Sequence, residues 1–232
     1  MKRTLKFAAM LLMVAATAFG LNKELKAQSK GMENGHEWVD LGLPSGTLWA
    51  TTNVGADSPE AYGDYFAWGE TKPQASNKYN SESYKYFNGY KVAKYNNNVE
   101  YGKIDNLTVL QPDDDAATAN WGGAWRMPTA EELNELYDNC INKTAMQNGI
   151  YGQRFTAQNG NSIFLPSAGY RSDGELIRTG SHGCYWSSSL CGPRLACDLI
   201  FMTGPFTSSA DPRNCSDRDR GFTVRPVCAP QK

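Results

Sequence analysis

The sequence predicts an α+β domain of short strands and hairpins with one or two helices. Three observations carry that expectation. There are 22 glycines beside 27 aromatic residues, a composition that favours strands and structured turns over a helical bundle. One helix with a full capping signature is set between runs of strand-like sequence. Once an N-terminal leader is set aside, about 205 residues remain, a length that suits one domain with a real core.

The leader is MKRTLKFAAMLLMVAATAFG, in which Lys2, Arg3 and Lys6 precede an apolar run from Phe7 to Phe19. This is the layout of a secretory signal peptide, and the run is too short to span a bilayer. Cleavage is expected after Gly20 or near Ala27. Residues 1–27 are therefore read as leader, 28–35 as a short linker, 36–228 as the domain and 229–232 as a tail. Removing the leader leaves 18 basic against 23 acidic residues, a net charge of −5. Such a surface excludes nucleic acid as a partner. No later apolar run is long enough for a transmembrane segment.

Residues 36–69 alternate apolar and polar around WVDLGL and TLWATTNVG and read as short strands and turns. Residues 72–106 are rich in Tyr, Asn, Lys and Ser without either period, and are expected to be a long surface excursion pinned by a few rings. In RMPTAEELNELYDNC, Thr129 and Glu132 form a capping box, and Leu133, Leu136, Tyr137 and Cys140 fall on one helical face. Asn159-Gly160 in RFTAQNGNSIFLP marks a hairpin. Further strands are expected at CYWSSS, CDLIF and GFTVRPVC. In the last of these Phe222 and Val224 share one face, Thr223 and Arg225 the other.

Little in the chain points to catalysis. There is no G-x-S-x-G elbow around the serines, and the two histidines, His36 and His182, lie in loop contexts. Two histidines and no C-x-x-C argue against zinc. Asp113, Asp114 and Asp115 have no EF-hand spacing, and capping or turn formation is their expected duty. No catalytic residue, metal or cofactor is expected. The six tryptophans are expected to anchor core and turns. All six cysteines, Cys140, Cys184, Cys191, Cys197, Cys215 and Cys228, lie beyond the leader, where an oxidising compartment favours disulfides.

The segments VDLGLPSGTLWATTNVGA, YGDYFAWGET, DDAATANWGGAWRMPTAEELNEL, GNSIFLPSAGYR, YWSSS and GFTVRPVC run in this order through residues 36–228. In this they resemble the major paralogous domain family of exported bacterial proteins, whose members look like C-type-lectin-like folds. The resemblance implies a disulfide from the end of the helix to the last strand, here Cys140 to Cys228. It does not carry over calcium-dependent sugar binding, because Glu-Pro-Asn and Trp-Asn-Asp are missing. Nor does it carry over sulfatase activation, because no cysteine here sits in that motif.

The same fold places residues 191–219 in ligand-facing loops before the last strand. Some exported lectin-fold proteins are diversified there by a retroelement that mutates adenines, which turns AAC codons into NNC codons. These encode no Lys, Glu, Gln, Trp or Met. One of 29 positions in 191–219, Met202, belongs to that set, against 31 of 160 in residues 31–190. Five or six would be expected at the background rate, so the depletion favours diversification. It also explains Cys191, Cys197 and Cys215 as NNC residues introduced without regard to pairing, whereas a disulfide framework would pair all six. The expected contact residues are Arg194, Asp198, Phe206, Thr207, Ser208, Asp211, Arg213, Asn214, Asp217, Arg218 and Asp219. Mixed Arg and Asp suit a protein or glycan ligand. The expectation is an exported, non-enzymatic, adhesin- or receptor-like binding protein. A structural envelope or matrix component of the same fold is the alternative.

Overall fold

A computed structural model of the chain describes residues 29–75, 78–204 and 208–230, so the leader and residues 231–232 lie outside it. The first strand, β1 (Lys30–Glu33), turns through Asn34-Gly35 into β2 (His36–Asp40), and β2 pairs with β3 (Leu48–Ala50). Asn34 and Gly35 have φ of 42° and 85°, the paired left-handed geometry that matches a two-residue turn to the twist of its strands. Residues 30–33, read from sequence as linker, are therefore part of the sheet. A ribbon of β4 (Phe87–Asn88) and β5 (Lys91–Val92) follows, then α1 (Ala116–Trp121) and α2 (Ala130–Asn139).

The rest is strand. β6 (Cys140–Gln147), β7 (Ile150–Ala157) and β8 (Ser162–Pro166) form an antiparallel meander. Asn148-Gly149 closes its first hairpin, at φ 49° and 83°, and the loop around Asn159-Gly160 closes the second, as expected. β9 (Tyr170–Ser172) and β10 (Glu175–Ile177) make a ribbon closed by Asp173-Gly174. β11 (His182–Gly192), β12 (Leu195–Thr203) and β13 (Ser208–Asp217) form a three-stranded sheet with β12 in the middle. The last strand, β14 (Val227–Cys228), pairs with β3 and so places the first and last strands of the described residues in one sheet. Sheet dominates, with two helices among the described residues, consistent with the α+β expectation.

GFTVRPVC is less regular than its alternation implies. Gly221, Phe222 and Thr223 make isolated bridges to three different segments, and only Val227 and Cys228 join a ladder. Both faces of the stretch are buried, including Thr223 and Arg225.

Two apolar clusters lie on opposite sides of the β1-β2-β3-β14 sheet. Val39, Trp49 and Val227 are cross-strand neighbours and pack with Leu133 and Leu136 of α2, Phe155, Tyr185, Leu199 and Phe201. Trp38, Leu48, Ala50 and Cys228 face the other way, toward Trp68, Trp125, Trp186 and Phe222. All six tryptophans are buried.

This alternation corrects the expected Cys140–Cys228 bond. Cys140, at the end of α2, packs in the first cluster, whereas Cys228 follows Val227 on the strand and must point into the second. Both are free buried thiols, and burial pushes each up to about 11. The disulfide among the described residues joins Cys191 to Cys215.

The residues read as a long surface excursion supply much of the second cluster. Tyr79, Tyr84, Tyr86 and Tyr95 are buried, whereas Tyr90 is largely exposed. Asp115 caps α1 by accepting from the Thr118 amide at 2.9 Å and accepts from Met127 at 2.9 Å, the capping duty expected of it.

The capping box of α2 is complete, with Thr129 Oγ1 accepting from the Glu132 amide and Glu132 accepting from the Thr129 amide. Glu132 also accepts from Thr47 and pairs with Arg126 at 2.6 Å, so this box ties α2 to two other segments. Thr129→Ala is expected to cost about 1 kcal/mol, read as a lower urea midpoint with an unchanged slope.

Candidate functional site

The β11-β12-β13 sheet gathers most of the residues expected to meet a ligand, and it places them in strands rather than loops. One face packs on α2 through Tyr185, Leu199 and Phe201. Arg213 on β13 reaches Asp138 of α2 in an exposed ion pair of 3.1 Å. The other face carries Cys184, Trp186 and Ala196 into the tryptophan-rich cluster.

At the end of this sheet the side chain of Arg218 turns inward. It is fully buried, which removes it from the expected contact set. Its Nε donates to Tyr84 Oη at 3.1 Å, one Nη to the carbonyls of Pro193 (2.7 Å) and Tyr95 (3.2 Å), and the other to Lys94 O at 3.0 Å. Trp68, Tyr84, Tyr86, Phe87 and Tyr95 surround the guanidinium with ring centroids at 4.7 to 5.8 Å. Among the described residues no carboxylate stands within ion-pair distance of it. Ring faces and carbonyl oxygens take that place, as a planar cation with five donors allows.

Asp198 is likewise buried rather than presented. Asn214 Nδ2 donates to both its oxygens at 3.1 Å and also lies 3.1 Å from Ser216 Oγ. Burial dominates over these bonds and pushes the Asp198 carboxyl up to about 7. Burial, with Asp217 nearby, also raises Asp219.

The remaining members face outward. Arg194 is half-buried, with its guanidinium 3.7 Å above the Phe87 ring and donating to Gly89 O at 3.2 Å. Asp211 is exposed and accepts from the Arg213 amide at 2.9 Å. Asp217 pairs with Arg220 at 2.8 Å, and Leu195 and Met202 are also exposed. Phe206 and Thr207 lie outside the described residues, and of Ser208 only the backbone, at the start of β13, is described. The outward members of the expected set are thus Arg194, Asp211, Arg213 and Asp217, joined by Ser209 and Arg220, which the sequence reading missed although Arg220 continues the same Asp-Arg alternation.

Among the described residues of this arrangement, no serine or cysteine is set beside a histidine that a carboxylate orients. Ser187 Oγ donates to the Cys197 carbonyl at 2.7 Å. His182 contacts Ser181 Oγ at 3.0 Å, but its other nitrogen faces Arg178 at 2.9 Å, where a triad needs a carboxylate. Burial and Arg178 together lower its pKa. No family model matches the chain, and neither the curated proteins nor the solved structures contain a match to it.

Arg218→Met leaves three carbonyls and a hydroxyl without their donor and is expected to cost about 3–5 kcal/mol in urea unfolding, with Arg218→Lys intermediate because an ammonium cannot fork to all four. Asp198 holds its proton in the fold to about pH 7. The unfolded chain releases it near the ordinary carboxylate value of about 4, so between the two the folded state binds more protons and stability falls as pH rises. Asp198→Asn removes that slope: its stability relative to the parent should grow from about pH 4 to about pH 7 and stay level above, measured as urea midpoints.

Proposed function

We propose that the chain is an exported, non-enzymatic binding protein of the C-type-lectin-like fold, similar to the major paralogous domain family. On this reading it offers the outward side of its β12–β13 hairpin to a protein or glycan. One observation carries the proposal. Within residues 191–219, the segment set apart by its composition, buried Asp198 and Ser216 tie β12 to β13 through Asn214 and buried Arg218 holds the hairpin to the core, while Arg194, Ser209, Asp211, Arg213 and Asp217 lie on its outward side. Those outward side chains are anchored at one end by Arg218 and by the Cys191–Cys215 bond, so they can change without disturbing the clusters beneath. Mixed charge at such a rim steers and orients a partner more than it supplies raw affinity.

The test is the DNA encoding residues 191–219 and its flanks. A near-copy differing only at adenines is expected, with the differences confined to codons for outward positions such as Asp211, Arg213 and Asp217. The codons for Arg218 and Asp198 should match between the copies. Differences spread evenly over buried and outward codons, or the absence of a copy together with codons that do not end in C, would refute the proposal.

A further inference from the structure

Each strand of the β11-β12-β13 sheet contributes one cysteine at the same end. Cys191 is the extra residue of a bulge between Leu190 and Gly192, Cys197 stands on the central strand, and Cys215 is its direct cross-strand partner. Their three sulfurs lie within 4.8 Å of one another. The existing bond joins Cys191 to Cys215 across a Cα separation of 6.1 Å, and Cys197 is left as a thiol. Directly opposed residues of antiparallel strands sit about 4.5–5.5 Å apart at Cα, inside the span of a disulfide. Cys215 therefore has two partners in reach and can hold only one.

We propose that Cys191, Cys197 and Cys215 form a thiol–disulfide exchange site that moves the bond to Cys197–Cys215 and opens Cys191 to S-thiolation by small disulfides. In the first step the Cys197 thiolate attacks the Cys215 sulfur. The Cys197–Cys215 bond forms as the Cys191–Cys215 bond breaks, the electron pair leaves on Cys191, and Cys191 takes up a proton equivalent to the one Cys197 lost. One disulfide is consumed and one is made, so no oxidant enters. Cys191 is the exposed member of the three and the others are half-buried, so the thiol released is the one that solvent reaches. In the second step its thiolate attacks an external disulfide, forms the mixed disulfide and expels one small thiolate.

Two features set the pace and the site of the exchange. Burial, then Asp198 and Glu131, raise the Cys197 thiol, which keeps it protonated at rest and makes the first step slow. The adduct would stand three residues from Arg194, at the border of the outward face. The inference does not depend on that face binding anything.

The experiment incubates the full oxidised chain with oxidised glutathione, quenches in acid and maps peptides by mass spectrometry. The expected product carries a glutathionyl group on Cys191 and a Cys197–Cys215 cross-link, and Cys197→Ser slows that labelling about tenfold or more. The buried thiols Cys140, Cys184 and Cys228 serve as internal controls. A second variant, Cys191→Ser, is expected to oxidise to a Cys197–Cys215 bond while keeping the parent's near-ultraviolet circular dichroism. The proposal is overturned by an adduct on Cys197 with Cys191–Cys215 intact, by no adduct on Cys191, by equal labelling in Cys197→Ser, or by two free thiols in oxidised Cys191→Ser.

Discussion

The burial of Arg218 is the constraint on which the rest of the fold turns. A guanidinium taken out of water without compensation is prohibitively costly, so the folded core must hold every acceptor around it in place. Those acceptors come from far apart in sequence: Pro193 from the β11–β12 turn, Lys94 and Tyr95 from the loop after β5, and Tyr84 from before β4. Tyr84 serves twice, because its hydroxyl accepts from Arg218 and donates to the Trp68 carbonyl at 2.5 Å. The Trp68 amide in turn donates to the Arg218 carbonyl at 2.8 Å, closing a ring of bonds between two stretches 150 residues apart.

This arrangement accounts for residues 78–110, which have no periodic pattern of their own. They fold because they wall in a cation, not because they form an amphipathic element. Asp114 completes the wall one layer out. It accepts from Tyr95 Oη at 2.6 Å and from Lys94 at 2.5 Å, fixing two of the three residues whose carbonyls face Arg218. Burial alone would raise the Asp114 carboxyl, but bonds from Lys94, Tyr86, Tyr95 and Lys85 hold it well below the usual carboxylate range. Arg225 repeats the device at the other end of the same stretch. It donates to Asn53 Oδ1 and to the carbonyls of Ala50, Thr51 and Phe164, and burial lowers it to about 10. Two buried arginines seven residues apart thus hold the C-terminal segment to opposite parts of the molecule.

The parts legible in the sequence are those whose information is local. Thr129 and Glu132 specify their helix because both halves of the capping box lie within one turn. Asn159-Gly160 marks its hairpin for the same reason. The same dipeptide at Asn34-Gly35 is weakly marked in the sequence, because the strand before it, β1, is only four residues long and pairs with β2. Arg218 and Arg225 were illegible for a different reason. Arginine is ordinarily exposed, so its burial here depends on acceptors that only the folded chain assembles. The cysteine pairing was lost to a period-two effect: with Val227 committed to the α2 side, Cys228 faces away from Cys140 whatever the spacing along the chain.

The two attachments of the β12–β13 hairpin differ in kind, and the difference bears on what its outer face can do. Arg218 is held by geometry that no exchange of sulfur partners touches, since its bonds run to Pro193, Tyr84, Lys94 and Tyr95. The disulfide sits at the same end of the sheet but joins residues whose neighbours are already fixed by the β11–β12 and β12–β13 ladders. A bond redistributed among three sulfurs within 4.8 Å therefore changes which thiol is exposed without releasing the strand that carries Asp211 and Arg213. Covalent and electrostatic anchoring use different side chains here, and none of the Arg218 hydrogen bonds involves a cysteine. The chemistry of the outer face is set by side chains that the core never consults.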